Sequence, residues 1–579
     1  MLQHMQLVND NEQVVLRFQD KLGAISVDEE SYKDCCTDLQ HKIKNMSKFN
    51  TVIKQNRVTL NHEGAEAFSM SAEMELFTAV VTTSLSNNFY ETANERIERI
   101  ADLVGKCDAR FVAQLAVYAR TQMNLRSVPL LLVVELAKHH SGDNLVSRTV
   151  EKVVLRADEI MELLHCYQWR NSQTLSGSER NVPVKRIGKL SHQIQLGLQK
   201  AFNNFNEYQF AKYDRNNLEV KLRDALFIVH PKAKDDAQQK LFDKITNKSL
   251  ETPYTWEVEL SALGQKVFDS DEKKQEAIVE KWEELIKSGK LGYMAMLRNL
   301  RNFLINDVSK EVLEQVAERI SDDNEVIRSK QFPFRFLSAY REIKSMEKKK
   351  TKSHEIKKAT LELKEHIDKK KLMLDALEKA VLATSQNIAG FDEHTRVLMA
   401  CDVSRSMFCP ISQKKSVKNY DIGLVLSMLL KNRCRIVLNG IFGSDWKVIN
   451  LPSSNILNNV ELMYERAGEV GYSTNGYKVI EYLNDKGFVM DKVMIFTDCQ
   501  MWDSHKSCHT FYDEWERYKE ISPNAKLYLF DLFGYGTTPL DIVRNDVILI
   551  SGWSDRIFEM IDAIEHGSSA LEEIRRIEI

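Results

Sequence analysis

The chain has 579 residues, 43% hydrophobic and 28% charged, with only 9 Pro and 22 Gly. That length exceeds what one core holds, so two or more domains are expected, and the composition excludes collagen-like, mucin-like and wholly disordered chains. Lys and Arg number 80 against 83 Asp and Glu, a net charge of −3, so bulk charge cannot bind a polyanion and any nucleic-acid site must be a local patch.

The first 45 residues read as an N-terminal extension. Met1 to Asp20 carries charged and polar residues with no apolar leader, and no run of 18 apolar residues occurs anywhere. The 9 Cys are scattered, without a CxxC pair, which reads as reduced thiols. These features predict a cytoplasmic protein with no membrane association.

From about Ala67 to Tyr340 apolar residues recur at helical spacing, as in Phe111-Val-Ala-Gln-Leu-Ala-Val-Tyr-Ala-Arg, Leu130 to Ala137 and Ile278 to Ile286. Helices joined by short polar turns over this length predict an all-α solenoid of the HEAT kind, at ~40 residues per repeat. Between Arg170 and Lys234 twelve basic residues face five acids, with Tyr167, Trp169, Phe202, Phe205, Tyr208, Phe210 and Tyr213 interleaved. Charge with π-faces suits single-strand or stem-loop RNA, although aromatics at helical spacing are mostly core. His192 and His230, with a reference pKa near about 6.5, suit capping or packing better than phosphate binding. Farther on, Arg298, Arg301, Arg335 and Arg341 sit in otherwise apolar helices. A guanidinium fork binds phosphate bidentately, and the alternative is pairing with carboxylates between repeats.

Between Lys344 and Lys371 a dense charge run marks a boundary and reads as a linker or a solvated helix face. After Gly390 short apolar runs alternate with helical ones: Val397-Leu-Met-Ala-Cys-Asp, Cys434-Arg-Ile-Val-Leu-Asn-Gly-Ile-Phe, Lys492-Val-Met-Ile-Phe-Thr-Asp, Lys526-Leu-Tyr-Leu-Phe-Asp and Val547-Ile-Leu-Ile. Strands apolar on both faces, separated by helices, predict a doubly wound, Rossmann-like α/β domain with a parallel sheet. Ligands of such sheets sit beyond the carboxyl ends of the strands. There stand Asp402, Ser404 and Ser406 in Asp402-Val-Ser-Arg-Ser406, Thr474 before a helix, and Asp498 after a strand. Two carboxylates and three hydroxyls are hard oxygen donors, suited to a divalent cation, Mg²⁺ foremost with Mn²⁺ as the alternative, and not to zinc.

D-x-S-x-S followed by a later Thr and Asp resembles the metal-ion-dependent adhesion site of von Willebrand factor A domains. Helical repeats preceding such a domain, with Tyr293-Met-Ala-Met-Leu-Arg-Asn-Leu-Arg-Asn302, Phe332-Pro-Phe-Arg-Phe-Leu-Ser-Ala-Tyr-Arg341, Arg126-Ser-Val-Pro-Leu-Leu-Leu and Gly197-Leu-Gln-Lys-Ala-Phe, look like the TROVE module of the Ro ribonucleoprotein autoantigen family in its bacterial form. The resemblance runs from about Phe49 to the C-terminus and implies residues 46–372 as a ring of helical repeats, 373–389 as a connecting helix or linker, and 390–579 as the A domain. It also implies a small noncoding, Y-like RNA on the outer surface, with Lys200, Lys212, Arg215, Lys221 and Arg223 as its contacts. Single-stranded RNA ends would pass through the hole, lined by Arg298, Arg301 and Arg335. A nuclease partner such as polynucleotide phosphorylase is implied too, with the protein itself monomeric. A His that the vertebrate form carries in the basic stretch is missing, which leaves the stem contact open.

No Walker loop, GxSxG elbow or HExxH pair occurs, and the metal motif supplies two carboxylates where a two-metal nuclease needs a cluster. The reading is therefore of a non-catalytic RNA binder in RNA quality control or processing. The alternatives are a scaffold whose A domain grips a partner carboxylate, and a metal-dependent phosphoesterase.

Overall fold

The structure, a computed structural model, describes residues 5–10, 13–18, 58–82, 90–175, 189–215, 218–346, 356–384, 394–410, 417–502, 510–552, 561, 564 and 569–579. The first 57 residues form one unit, in which β1 (Met5–Asp10) and β2 (Gln13–Phe18) pair antiparallel. The rest, Val58–Ile579, is a second unit. Beyond a short β-hairpin it is an α-helical, HEAT-like solenoid closed into a ring, followed by an α/β doubly wound domain.

The second unit opens with β3 (Val58–Leu60) and β4 (Glu66–Ser69), a hairpin. Although the sequence reading assigns this stretch to the helical ring, β4 pairs with β10 (Thr537–Thr538) of the α/β domain. The helical array then runs from Ala72–Val81 to Ile356–Ala383. Several of its helices start on side-chain caps, for example Thr92 with Glu95 and Asn206 with Gln209 as capping boxes. Some bury one stripe, as Ile97, Ile100 and Val104 do in Ala93–Lys106, whereas Ala109–Thr121 is buried all round from Phe111 to Ala119. Ile356–Ala383 packs on Lys310–Ser321 and Pro333–Lys344. The charge run is thus no free linker over this helix. Lys369 is 4% exposed and pairs with Asp307 and Glu365.

The α/β domain is built on a six-stranded sheet in the order β11 (Val547–Ser551), β9 (Lys526–Asp531), β8 (Lys492–Thr497), β5 (Arg396–Asp402), β6 (Ile436–Phe442), β7 (Trp446–Val448). All pairs are parallel except the β6–β7 edge. In β5, Val397, Met399 and Cys401 enter a core continuous with the helical array, while Leu398 and Ala400 face Phe511, Trp515 and Ile480 on the other side. Both faces are therefore dry, as the near-continuous apolar strands require. β5 lies between β6 and β8 with connections running to opposite sides, which makes its carboxyl end the switch point where such sheets bind ligands.

The α/β domain touches both ends of the helical array. At the N-terminal end Gln114 Nε2 donates to the carbonyls of Arg575 and Ile577 at 2.7 and 3.0 Å, Arg99 to that of Gly534 at 2.7 Å, and Arg575 pairs with Glu73. At the other end Arg341 binds Asp421 and Glu461. Glu378 accepts from the amides of Leu457 and Asn458 at 3.0 and 2.9 Å, placing its charge at the N-terminus of Ile456–Glu465.

Candidate functional site

Asp402 closes β5, and Asp498 follows β8, the adjacent strand, so both carboxylates emerge at the same edge. Asp402 is held by the Ser404 amide at 2.8 Å on one oxygen and by the Thr497 hydroxyl at 2.7 Å on the other. The Ser404 and Ser406 hydroxyls are 3.3 Å apart. Asp498 Oδ1 accepts from the Gln500 amide at 3.0 Å, while its buried Oδ2 has no hydrogen-bond partner. Thr474 is brought in by close backbone packing: a Cβ on Gly443 would meet the Gly471 carbonyl at 2.1 Å, and the Thr474 carbonyl accepts from the Trp502 amide at 2.9 Å.

All five residues are buried. Desolvation pushes the Asp402 and Asp498 carboxyls above the usual range, and the repulsion of Asp402 raises Asp498 further. Asp531, at the end of the next strand, is pushed up to about 6 by burial. Dry, mutually repelling carboxylates with an unpaired oxygen and flanking hydroxyls suit a small hard cation. Among the described residues no group of three or more His, Cys, Asp or Glu forms an alternative metal cluster.

The basic residues divide into several groups. Arg298, Arg301 and Arg335 line one cavity of about 550 Å³ between Tyr293–Ile305 and Pro333–Lys344. Arg335 is held below its ordinary pKa by burial and by the like charge of Arg298, and Arg301 lies 3.7 Å from Glu342. A second cavity of about 530 Å³ shares Arg298 and Met294 with the first. Its walls include Lys212, Arg215 and Lys290 with Tyr208, Tyr213, Tyr254 and Trp256. Lys212 and Arg215, expected on a separate outer surface, therefore share a cavity with Arg298. Lys200, Lys221 and Arg223 are exposed outside both cavities, Lys200 paired with Glu151 at 2.6 Å.

Two arginines go the other way. Arg341 is taken by Asp421 and Glu461, so the pairing alternative holds for it. Arg170 is 3% exposed and bound by Glu98 and Glu135. Arg180, Lys185 and Arg186 lie outside the described residues. His230 is a helix C-cap in the left-handed region, in line with a capping role. Lys290, Tyr254 and Trp256 carry no sequence motif and reach the cavity only through helix packing.

Comparison with known proteins bears on this half of the molecule. Residues 247–389 match the family model described as the TROVE domain. The TROVE span contains Arg298, Arg301 and Arg335. Telomerase protein component 1 of Mus musculus and of Rattus norvegicus share 44% and 43% identity with this chain over 98 residues. That is 17% of this chain, which spans only 3% of either relative. The crystal structure of the Deinococcus radiodurans RO (RSR) protein matches with a TM-score of 0.52 at 17% identity, covering 86% of this chain and 100% of that one. The likeness is one of fold. Among the described residues no helix is long and apolar enough to cross a membrane.

Proposed function

We propose that the protein is a non-catalytic RNA binder that holds single-stranded RNA ends in the paired cavities around Arg298. The observation that carries this reading is the Arg298–Arg335 pair: two guanidinium groups share a cavity, and the burial of Arg335 leaves its charge under-compensated. A phosphate supplies the missing anion bidentately, and Tyr208, Tyr254 and Trp256 in the adjoining cavity offer faces for unstacked bases. The TROVE span and the relatives bearing the names Telomerase protein component 1 and RO support a ribonucleoprotein role. A Y-like small RNA would use the exposed Lys200, Lys221 and Arg223. A nuclease such as polynucleotide phosphorylase would receive the tail, and the protein would act as a cytoplasmic monomer in RNA quality control.

Asp402, Ser404, Ser406, Thr474 and Asp498 would hold a divalent cation, Mg²⁺ or Mn²⁺, whose open position accepts an oxygen anion.

The deciding experiment is filter binding of a stem-loop RNA, with and without a 3′ single-stranded tail, at two salt concentrations. The tailed RNA should bind better, with affinity falling steeply as salt rises. Equal binding of both RNAs, or a flat salt response, overturns the tail-binding reading.

A further inference from the structure

The turn between β3 and β4 reaches the cation site from more than four hundred residues away in sequence. It is anchored on the loop that follows Asp498: Asn61 Nδ2 donates to the Met501 carbonyl and the His62 amide to Gln500 Oε1, both at 2.8 Å. The turn is also closed on itself, since Asn61 Oδ1 accepts from the Glu63 and Ala65 amides at 3.0 Å each. Its geometry therefore does not depend on the Glu63 side chain.

That side chain points into a cavity of about 190 Å³ which it shares with Ser406 and Thr474, two of the five cation donors, and with Tyr90. The Tyr90 hydroxyl donates to the Glu63 carboxylate and also meets the Ser406 hydroxyl. The Tyr90 ring is fixed by stacking on His62 at 5.1 Å and by an edge contact with Tyr535 at 5.5 Å. Arg405 lines the same cavity, but among the described residues no Lys or Arg comes within ion-pair distance of Glu63. At about 30 Å³ per water the cavity has room for roughly six, enough for a partly hydrated Mg²⁺ and the sweep of one carboxylate.

We propose that Glu63 is the built-in acidic ligand of the A-domain cation site, completing its coordination from within the chain and excluding carboxylates of other molecules. The proposal rests on the reading of Asp402, Ser404, Ser406, Thr474 and Asp498 as cation donors. On binding, the Glu63 carboxylate exchanges its Tyr90 hydrogen bond for the ion, and no covalent change is involved.

The test is isothermal titration of the full chain with Mn²⁺, for wild type, Glu63→Gln, Glu63→Ala and Asp498→Ala, with and without acetate, and with circular dichroism to verify folding. Glu63→Gln should weaken Mn²⁺ binding by at least the about 10-fold typical of losing an outer-shell partner. Acetate should restore affinity to Glu63→Ala and leave the wild type unchanged. Wild-type binding that Asp498→Ala abolishes but Glu63→Gln leaves intact overturns the role of Glu63 and keeps the cation site. An acetate effect on the wild type equal to that on Glu63→Ala overturns the exclusion of outside carboxylates. No Mn²⁺ binding by the wild type overturns both readings together.

Discussion

Arg341 donates to both carboxylate oxygens of Asp421, at 2.6 and 2.7 Å, joining the helix Pro333–Lys344 to the helix Asn419–Arg433 of the α/β domain. Asp421 is fully buried, and the guanidinium also binds Glu461 at 2.6 Å. Burial alone would raise the Asp421 carboxyl, and Arg341 opposes that rise.

Removing one partner of such a pair leaves a buried charge unmatched, at a cost of about 3–5 kcal/mol. Arg341→Ala should lower stability by that amount in chemical denaturation, and Arg341→Met combined with Asp421→Leu should lose much less. If the double variant falls as far as the single one, the pair is not what joins these helices.

Charge removal at Arg298 and Arg335 should leave the fold intact and reduce binding of tailed RNA. Each lost phosphate contact lowers the slope of log affinity against log salt by about 0.7 for a single strand. Salt titrations of the two single variants and the double variant measure this directly. An unchanged slope would remove both residues from the interface.

Because Lys212 and Arg215 line the same cavity as Arg298, charge reversal at Lys212 and Arg215 should weaken tail binding as well as stem-loop binding. Residues sharing a site couple. The triple reversal with Arg298 should therefore lose less than the sum of its parts in a binding cycle. Strict additivity would restore two independent RNA surfaces.

Thermal stability should depend on pH and on divalent cation together. Asp402, Asp498 and Asp531 are all raised by burial. A carboxyl raised in the folded state stabilises it below the unfolded value, about 4. That contribution is lost as pH rises through the folded value, about 6 for Asp531. In EDTA the melting temperature should accordingly fall between about pH 5 and about pH 7.5. Mg²⁺ should reverse the fall, most strongly at the higher pH, and Asp498→Ala should abolish the reversal. Melts that ignore Mg²⁺ at both pH values would count against the cation site.

The strands β5, β8 and β9 are legible in the sequence because their apolar runs end on Asp402, Thr497 and Asp531, and the helical period is legible because buried stripes recur along one face. What stays hidden is long-range pairing. Nothing near Arg341 announces Asp421, eighty positions later, so its guanidinium looks as free as that of Arg335. The β3–β4 hairpin is short, and its pairing with Thr537–Thr538 has no local signature. Lys348 to Lys371 reads as solvent-facing because composition cannot reveal that Lys369 is neutralised by Asp307 on another helix.

The α/β domain meets the helical array at two seams: one at Arg341, where the peptide chain itself also runs from Ile356–Ala383 into β5, and one at Gln114 with Arg575, held by non-covalent contacts alone. A strand enclosed by the array, with bulky structure at both its ends, is therefore topologically captive while the seam at Gln114 and Arg575 holds. Its sideways release requires the seam at Gln114 and Arg575 to part, because the backbone still joins array and sheet at the other. The rate of that parting, and not the affinity of the arginine cavities, would then set how long such a strand stays bound.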